Sequence, residues 1–166
     1  LFPTLLILKK IEFLLQNIFA FLLPLCKEYV QYIKNLIMYF SKIENYIANI
    51  GYNITHKDTK EGIFVIENED DGIRNLIVGI AQPILIFEQY LFTISNDSMD
   101  MFKSLLIKNR DIIHGGFALT EDGTKVIFRY TLQIHNLDQN EFDAAINSLS
   151  LLMSEYYNQL ISFSKL

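Results

Sequence analysis

In YFSKIENYIANIG, residues 39–51, Phe40, Ile43, Tyr46, Ile47 and Ile50 recur at the spacing of one helical face, and Gly51 follows where such a helix terminates. The period then changes. YNITHKD and GIFVIEN read as two short strands joined by Thr59-Lys60-Glu61-Gly62, a connection of hairpin length. ENEDDG makes the next turn, IRNLIVGIAQ the next strand, and Pro83 ends it before ILIFEQYLFTI. DSMDMFKSLLIKNR returns to helical spacing, with Ser95 or Asn96 as the expected N-cap and Met101, Phe102, Leu105 and Leu106 as its buried stripe.

Two more strands follow. Ile113, Phe117 and Leu119 alternate with His114, Gly116 and Ala118. Glu121-Asp122-Gly123 forms a turn, and KVIFRYTLQI runs back with Val126, Phe128, Tyr130, Leu132 and Ile134 on one side. Asp138 and Glu141 have the spacing of a capping box, with Leu137 and Phe142 placed as a hydrophobic staple. Beyond them Ile146, Leu149, Leu152, Met153, Tyr156 and Leu160 mark a helix of five or more turns. The expected class is α+β, an antiparallel sheet with helices in the order α-ββββ-α-ββ-α.

The glycines of HGGFALTEDGTK could suggest a ligand-gripping loop. A phosphate-binding loop leads from a strand into a helix N-terminus, whereas Gly115 and Gly116 lead from a helix into a strand. They are expected to be structural.

The strand ILIFEQYLFTI does not alternate cleanly between apolar and polar, as a sheet with one solvated face would. Ile84, Ile86, Tyr90, Phe92 and Ile94 fall on one side of an unbroken strand, and Leu85, Phe87 and Leu91 on the other. Leu85, Phe87 and Leu91 are therefore the candidate protein-interaction face, to be covered by a second subunit, a bound segment or residues 1–37. The chain's own helices are the alternative cover.

Residues 1–37 differ from the rest, an apolar N-terminal extension ahead of a domain spanning 38–166. The extension is dominated by Leu, Ile and Phe, and its longest uncharged run, Phe13 to Cys26, has 14 residues. A membrane-crossing helix needs about 20, and Pro24 lies inside the run. No basic n-region precedes the apolar stretch and no Ala-x-Ala pattern follows it, so a signal peptide is not expected. Three readings stay open: translation from upstream of Met38, a membrane-associating leader, or a packed helix. Two helices are expected here, one to about Leu23 and one from Leu25.

Composition narrows the function classes. The 166 residues, 51% of them apolar, suffice for one domain with a genuine core. Of the net charge of −5, residues 1–37 carry about +2, which leaves about −7 on the remainder. An acidic body without a basic stripe repels phosphate backbones, so no nucleic-acid partner is expected. The single Cys26 rules out an intrachain disulfide and a cysteine-cluster zinc site, and suits a reducing, cytoplasmic setting. His114 lies opposite roughly residues 129–131 of the returning strand, too far from His135 for a shared metal ion, and His56 is remote in sequence. In ENEDDGIRN the position of the bidentate glutamate of a calcium loop is Val78. No catalytic residue, cofactor or metal is expected.

The segment from Leu105 to Leu160 carries a further signal. A helix ends in Asn109-Arg110, Gly115-Gly116-Phe117 enters a strand, and Asp122-Gly123 turns it. Phe128-Arg129, the cap Asn136-Leu137-Asp138 and a long helix with Tyr156-Tyr157 follow. In this order the chain resembles the YbjN family, the bacterial sensory transduction regulators, over about the 129 residues from Met38. The resemblance implies a fold similar to that of type III secretion chaperones, which are small acidic homodimers that bind extended partner segments. It implies a non-enzymatic, cytoplasmic homodimer that binds an unidentified protein partner as a chaperone or regulator. The alternatives are the same domain tethered to a membrane by residues 1–37, or an uncharacterised enzyme.

Overall fold

The computed structural model describes the backbone of residues 2–165, and side chains from Leu23 onward except Leu25 and Leu166. Its elements are α1 (Phe2–Asn49), β1 (Asn53–Asp58), β2 (Ile63–Asn68), β3 (Ile73–Ala81), β4 (Ile84–Thr93), α2 (Met99–Lys108), β5 (Gly116–Leu119), β6 (Lys125–Gln133) and α3 (Gln139–Phe163). The expected order of elements is met. The chain divides into two units, Leu1–Met38 and Tyr39–Leu166. The first unit is helical throughout its described residues. Here the expectation of two helices fails: α1 runs unbroken through Pro24. Proline removes one N–H, but the strong helix formers on both sides let the helix propagate past it.

The second unit is a six-stranded sheet in the order β1-β2-β3-β4-β6-β5, every neighbouring pair antiparallel. Helices lie against one face of it. Phe40 of α1 stacks on Phe64 of β2 at 4.1 Å between ring centroids, and Phe142 of α3 lies 5.5 Å from Phe87 of β4. Phe117 of β5 meets Tyr156 of α3, and Phe92 meets Phe163. Ile43, Ile47, Leu76, Phe128 and Leu149 complete this core, all essentially inaccessible to water. Each such side chain contributes about 1.5–3 kcal/mol relative to exposure.

The capping box of α3 is formed as expected. The Asp138 carboxylate accepts from the Glu141 N–H at 2.8 Å, and Glu141 Oε2 accepts from the Asp138 N–H at 3.3 Å. Leu137 and Phe142 are both buried beside it. Helix α2 begins later than expected: Ser98, not Ser95 or Asn96, is its N-cap, accepting from the Met101 N–H at 3.3 Å. Met101 and Leu105 are its buried residues, one turn apart, whereas Leu106 faces solvent.

Candidate protein-interaction surfaces

The expected interaction face must be corrected. Leu85 and Phe87 are buried in this domain's own core, at 0% and 1% exposure, and Leu91 is half-buried. A bulge farther along the strand hides this from the alternation pattern. Tyr90 pairs with Ile127 but Phe92 with Val126, so Leu91 is an extra residue in β4. Past it the strand changes faces, and Phe92 joins Leu85 and Phe87 beneath the helices instead of opposing them. Strict alternation drawn through residue 94 misses that reversal.

The bulged strand also carries Gln89 into the core, at 2% exposure. Its Oε1 accepts from the backbone N–H of Arg74 at 3.1 Å, next to Asn75, whose φ of 52° lies where the β2–β3 register shifts. A buried polar side chain is thus matched to a backbone donor that the irregular ladder leaves over. Nothing in local periodicity announces this pairing.

The opposite face of the sheet is the open one. Ile63 and Val65 of β2, Ile77 of β3, and Ile84 and Ile86 of β4 point away from the helices. All are partly exposed, Ile77 to 41%. The register sets them side by side: Val65 faces Ile77, and Ile63 and Ile86 flank Gly79. Gly79 has open space where a side chain would stand, so the surface dips there. Toward β6 the character turns polar. Glu88 and Arg129 are cross-strand partners and form an ion pair, and Thr131 lies beside Ile86. Tyr90, 54% exposed, stands at the end of the row. An apolar strip with a polar border can hold an extended segment by side-chain contact, with the Arg129–Glu88 pair available to its polar groups.

A second surface lies where the α2–β5 connection meets α3. A groove of about 660 Å³ is lined by Asp111, Ile113, His114, Asn147, Leu151 and Glu155, among others. Ile113 is 87% exposed and Leu151 66%. The expectation that Ile113 belongs to a buried strand face fails, because β5 begins only at Gly116. The loop is nevertheless fixed. Ser148 Oγ donates to the carbonyl of His114 at 3.1 Å, and His114 Nδ1 lies 3.0 Å from the Tyr130 hydroxyl.

The glycines act through geometry. Gly115 has a φ of +80°, and a Cβ there would stand 2.5 Å from the Phe128 ring. Gly116 passes Asn109, whose side-chain amide holds both backbone groups of Phe117. His135 lies apart, its Nδ1 3.3 Å from the Tyr39 hydroxyl. In the acidic turn after β2, Asp71 accepts from the Tyr52 hydroxyl at 2.5 Å. Burial first, and this contact second, push the Tyr52 phenol well above its ordinary range. Among the described residues no three His, Cys, Asp or Glu side chains are grouped to hold a metal ion, and no helix is long and apolar enough to cross a membrane. Cys26 is exposed on α1.

Comparison with known proteins agrees with this geometry. The family model CesT_Tir_1 matches residues 36–166. Among solved structures, YbjN from E. coli superposes with a TM-score of 0.54 at 10% identity, over 72% of this chain and 91% of that one. The ExsC–ExsE complex gives 0.52 at 19% identity, over 72% and 93%. At these identities the likeness is one of fold. No curated protein sequence matches the chain. The resemblance to YbjN and to the type III chaperone fold, expected from the order of motifs, is met.

Proposed function

The chain belongs to the CesT_Tir_1 family, a type III chaperone family, and on that premise we propose that it is a non-enzymatic chaperone whose open sheet face binds an extended segment of a partner protein. The observation that carries this reading is the row Ile63, Val65, Ile77, Ile84 and Ile86, apolar and partly exposed on a sheet whose other face is buried along β2, β3 and β4. A sheet with no second layer ordinarily shows polar residues there. The ExsC–ExsE structure is a complex of a protein of this fold, which supports a protein partner for this chain as well. The single cysteine suits a reducing, cytoplasmic site of action.

The test is a paired capture. Wild-type protein and the variant Ile77→Glu/Tyr90→Glu are each used to retain proteins from native lysate. Both positions are exposed, so the fold should tolerate the exchange. A partner retained by the wild type and lost by the variant, at equal melting temperature, supports the reading. Equal retention by both places binding elsewhere.

Homodimerisation is part of the same proposal, through a different surface from Leu85 and Phe87. The groove beside α3 leaves Ile113 and Leu151 largely in water, and pairing two copies is the commonest way of covering such residues. Light scattering of the wild type and of Ile113→Asp/Leu151→Asp checks it. A dimer converted to a folded monomer is the expected result, and a wild type already at monomer mass refutes it.

A further inference from the structure

The first unit presents an amphipathic surface that the proposed function leaves unexplained. Along α1 from Leu23 to Ile37, the polar residues Lys27, Glu28, Gln31, Lys34 and Asn35, with Pro24 among them, gather within about a third of the circumference at 3.6 residues per turn. The remaining residues are apolar and cover about half of it. Leu36 is buried at 3% and Ile33 half-buried, but five others stand in water: Leu23 is 41% exposed, Tyr29 66%, Val30 50%, Tyr32 45% and Ile37 53%. Lys27 and Lys34 border the edge formed by Leu23, Val30 and Ile37, so their aliphatic stems run beside it and their ammonium groups stand at its rim.

We infer that this part of α1 lies in the surface of a lipid bilayer that contains anionic headgroups. Three features favour lipid over a second copy of the helix. A coiled-coil seam is a narrow stripe, whereas this apolar sector is about half the helix, the width an interfacial helix sinks into the acyl boundary. Two lysines stand at one edge of it where headgroup phosphates would lie, and Tyr29 and Tyr32 supply the ring-plus-hydroxyl chemistry suited to that depth. The sign of the charge also changes along the chain, about +2 in residues 1–37 against about −7 beyond. The helix lies on the membrane and does not cross it, since the uncharged run of 14 residues falls short of the roughly 20 a crossing requires.

Flotation of the full chain with vesicles tests this. Vesicles of phosphatidylcholine mixed with phosphatidylglycerol should carry the protein upward, and pure phosphatidylcholine should carry less. Leu23→Asp/Val30→Asp should weaken partition by about tenfold or more without changing the melting temperature. Lys27→Ala/Lys34→Ala should remove the preference for phosphatidylglycerol and leave the weaker binding to phosphatidylcholine. A wild type that stays at the bottom of the gradient overturns the inference, as does a Leu23→Asp/Val30→Asp variant that floats equally well. If that variant instead dissociates a wild-type oligomer that shows no flotation, a second copy covers the helix and the lipid reading is wrong.

Discussion

The side-chain amide of Asn109 binds both backbone groups of Phe117: Oδ1 accepts from its N–H at 2.8 Å, and Nδ2 donates to its carbonyl at 3.1 Å. Asn109 thereby takes the place of a neighbouring strand at the outer edge of β5, a short edge that would otherwise present free donors and acceptors. It is also the C-cap of α2, its own N–H reaching the Leu105 carbonyl at 3.1 Å. One residue ties the end of a helix to the edge of the sheet. Asn109→Leu should leave both Phe117 groups without a protein partner and cost about 1–3 kcal/mol in denaturant unfolding.

Gly115 admits no side chain. At φ +80° an alanine Cβ would meet the Phe128 ring at 2.5 Å and Tyr130 Cβ at 2.9 Å. Gly115→Ala should destabilise by more than about 2 kcal/mol. At Gly116 the clash is with Asn109 Oδ1 at 2.9 Å, which a side chain can partly relieve, so Gly116→Ala should cost less. Melting temperatures of the two variants check the order, and the reverse order would refute the account of this turn.

Asp138→Ala removes the acceptor for the Glu141 N–H at the start of α3 and should cost about 0.5–2 kcal/mol. Phe87→Asp should be far worse, at least about 3 kcal/mol, because it places a carboxylate between Phe142 and Tyr130 in the core. Chemical denaturation distinguishes the two readings of Phe87. A folded, merely monomeric Phe87→Asp protein would restore it to an interface.

Asp122 offers a test against pH. The Thr120 hydroxyl, then the Thr124 N–H and hydroxyl, donate to its carboxylate and lower its pKa to about 2. A carboxylate depressed below its unfolded value of about 3.9 stabilises the turn above that value, and the effect is lost as pH falls through about 2. A carboxyl NMR titration of the folded protein should place the Asp122 midpoint near 2. A midpoint near 4 would mean that the Thr120–Asp122–Thr124 turn is not formed in solution.

The elements were legible because most carry local signals. The cap at Asp138, the staple of Leu137 and Phe142, and the positive-φ glycines at 51 and 123 all lie where the sequence placed them. The orientation of β4 was not legible. With apolar residues on both faces, alternation does not say which side meets the helices, and the inserted residue that moves Phe92 to the side of Leu85 and Phe87 depends on pairing with β6 far along the chain. Asn109 was visible only as a polar residue ending a helix, since its partner is set by the fold. The open apolar strip was implied by the two-faced strand, but its members were assigned to the wrong side.

The central claim is that a partner segment lies on the open sheet face, and site-specific photocrosslinking reads this directly. A photoreactive residue placed at Ile77, in the middle of that face, should form a covalent adduct with another protein on irradiation in native lysate. The same residue at Lys103, an exposed position on α2, should not. Adducts at 103 with none at 77 would contradict the account.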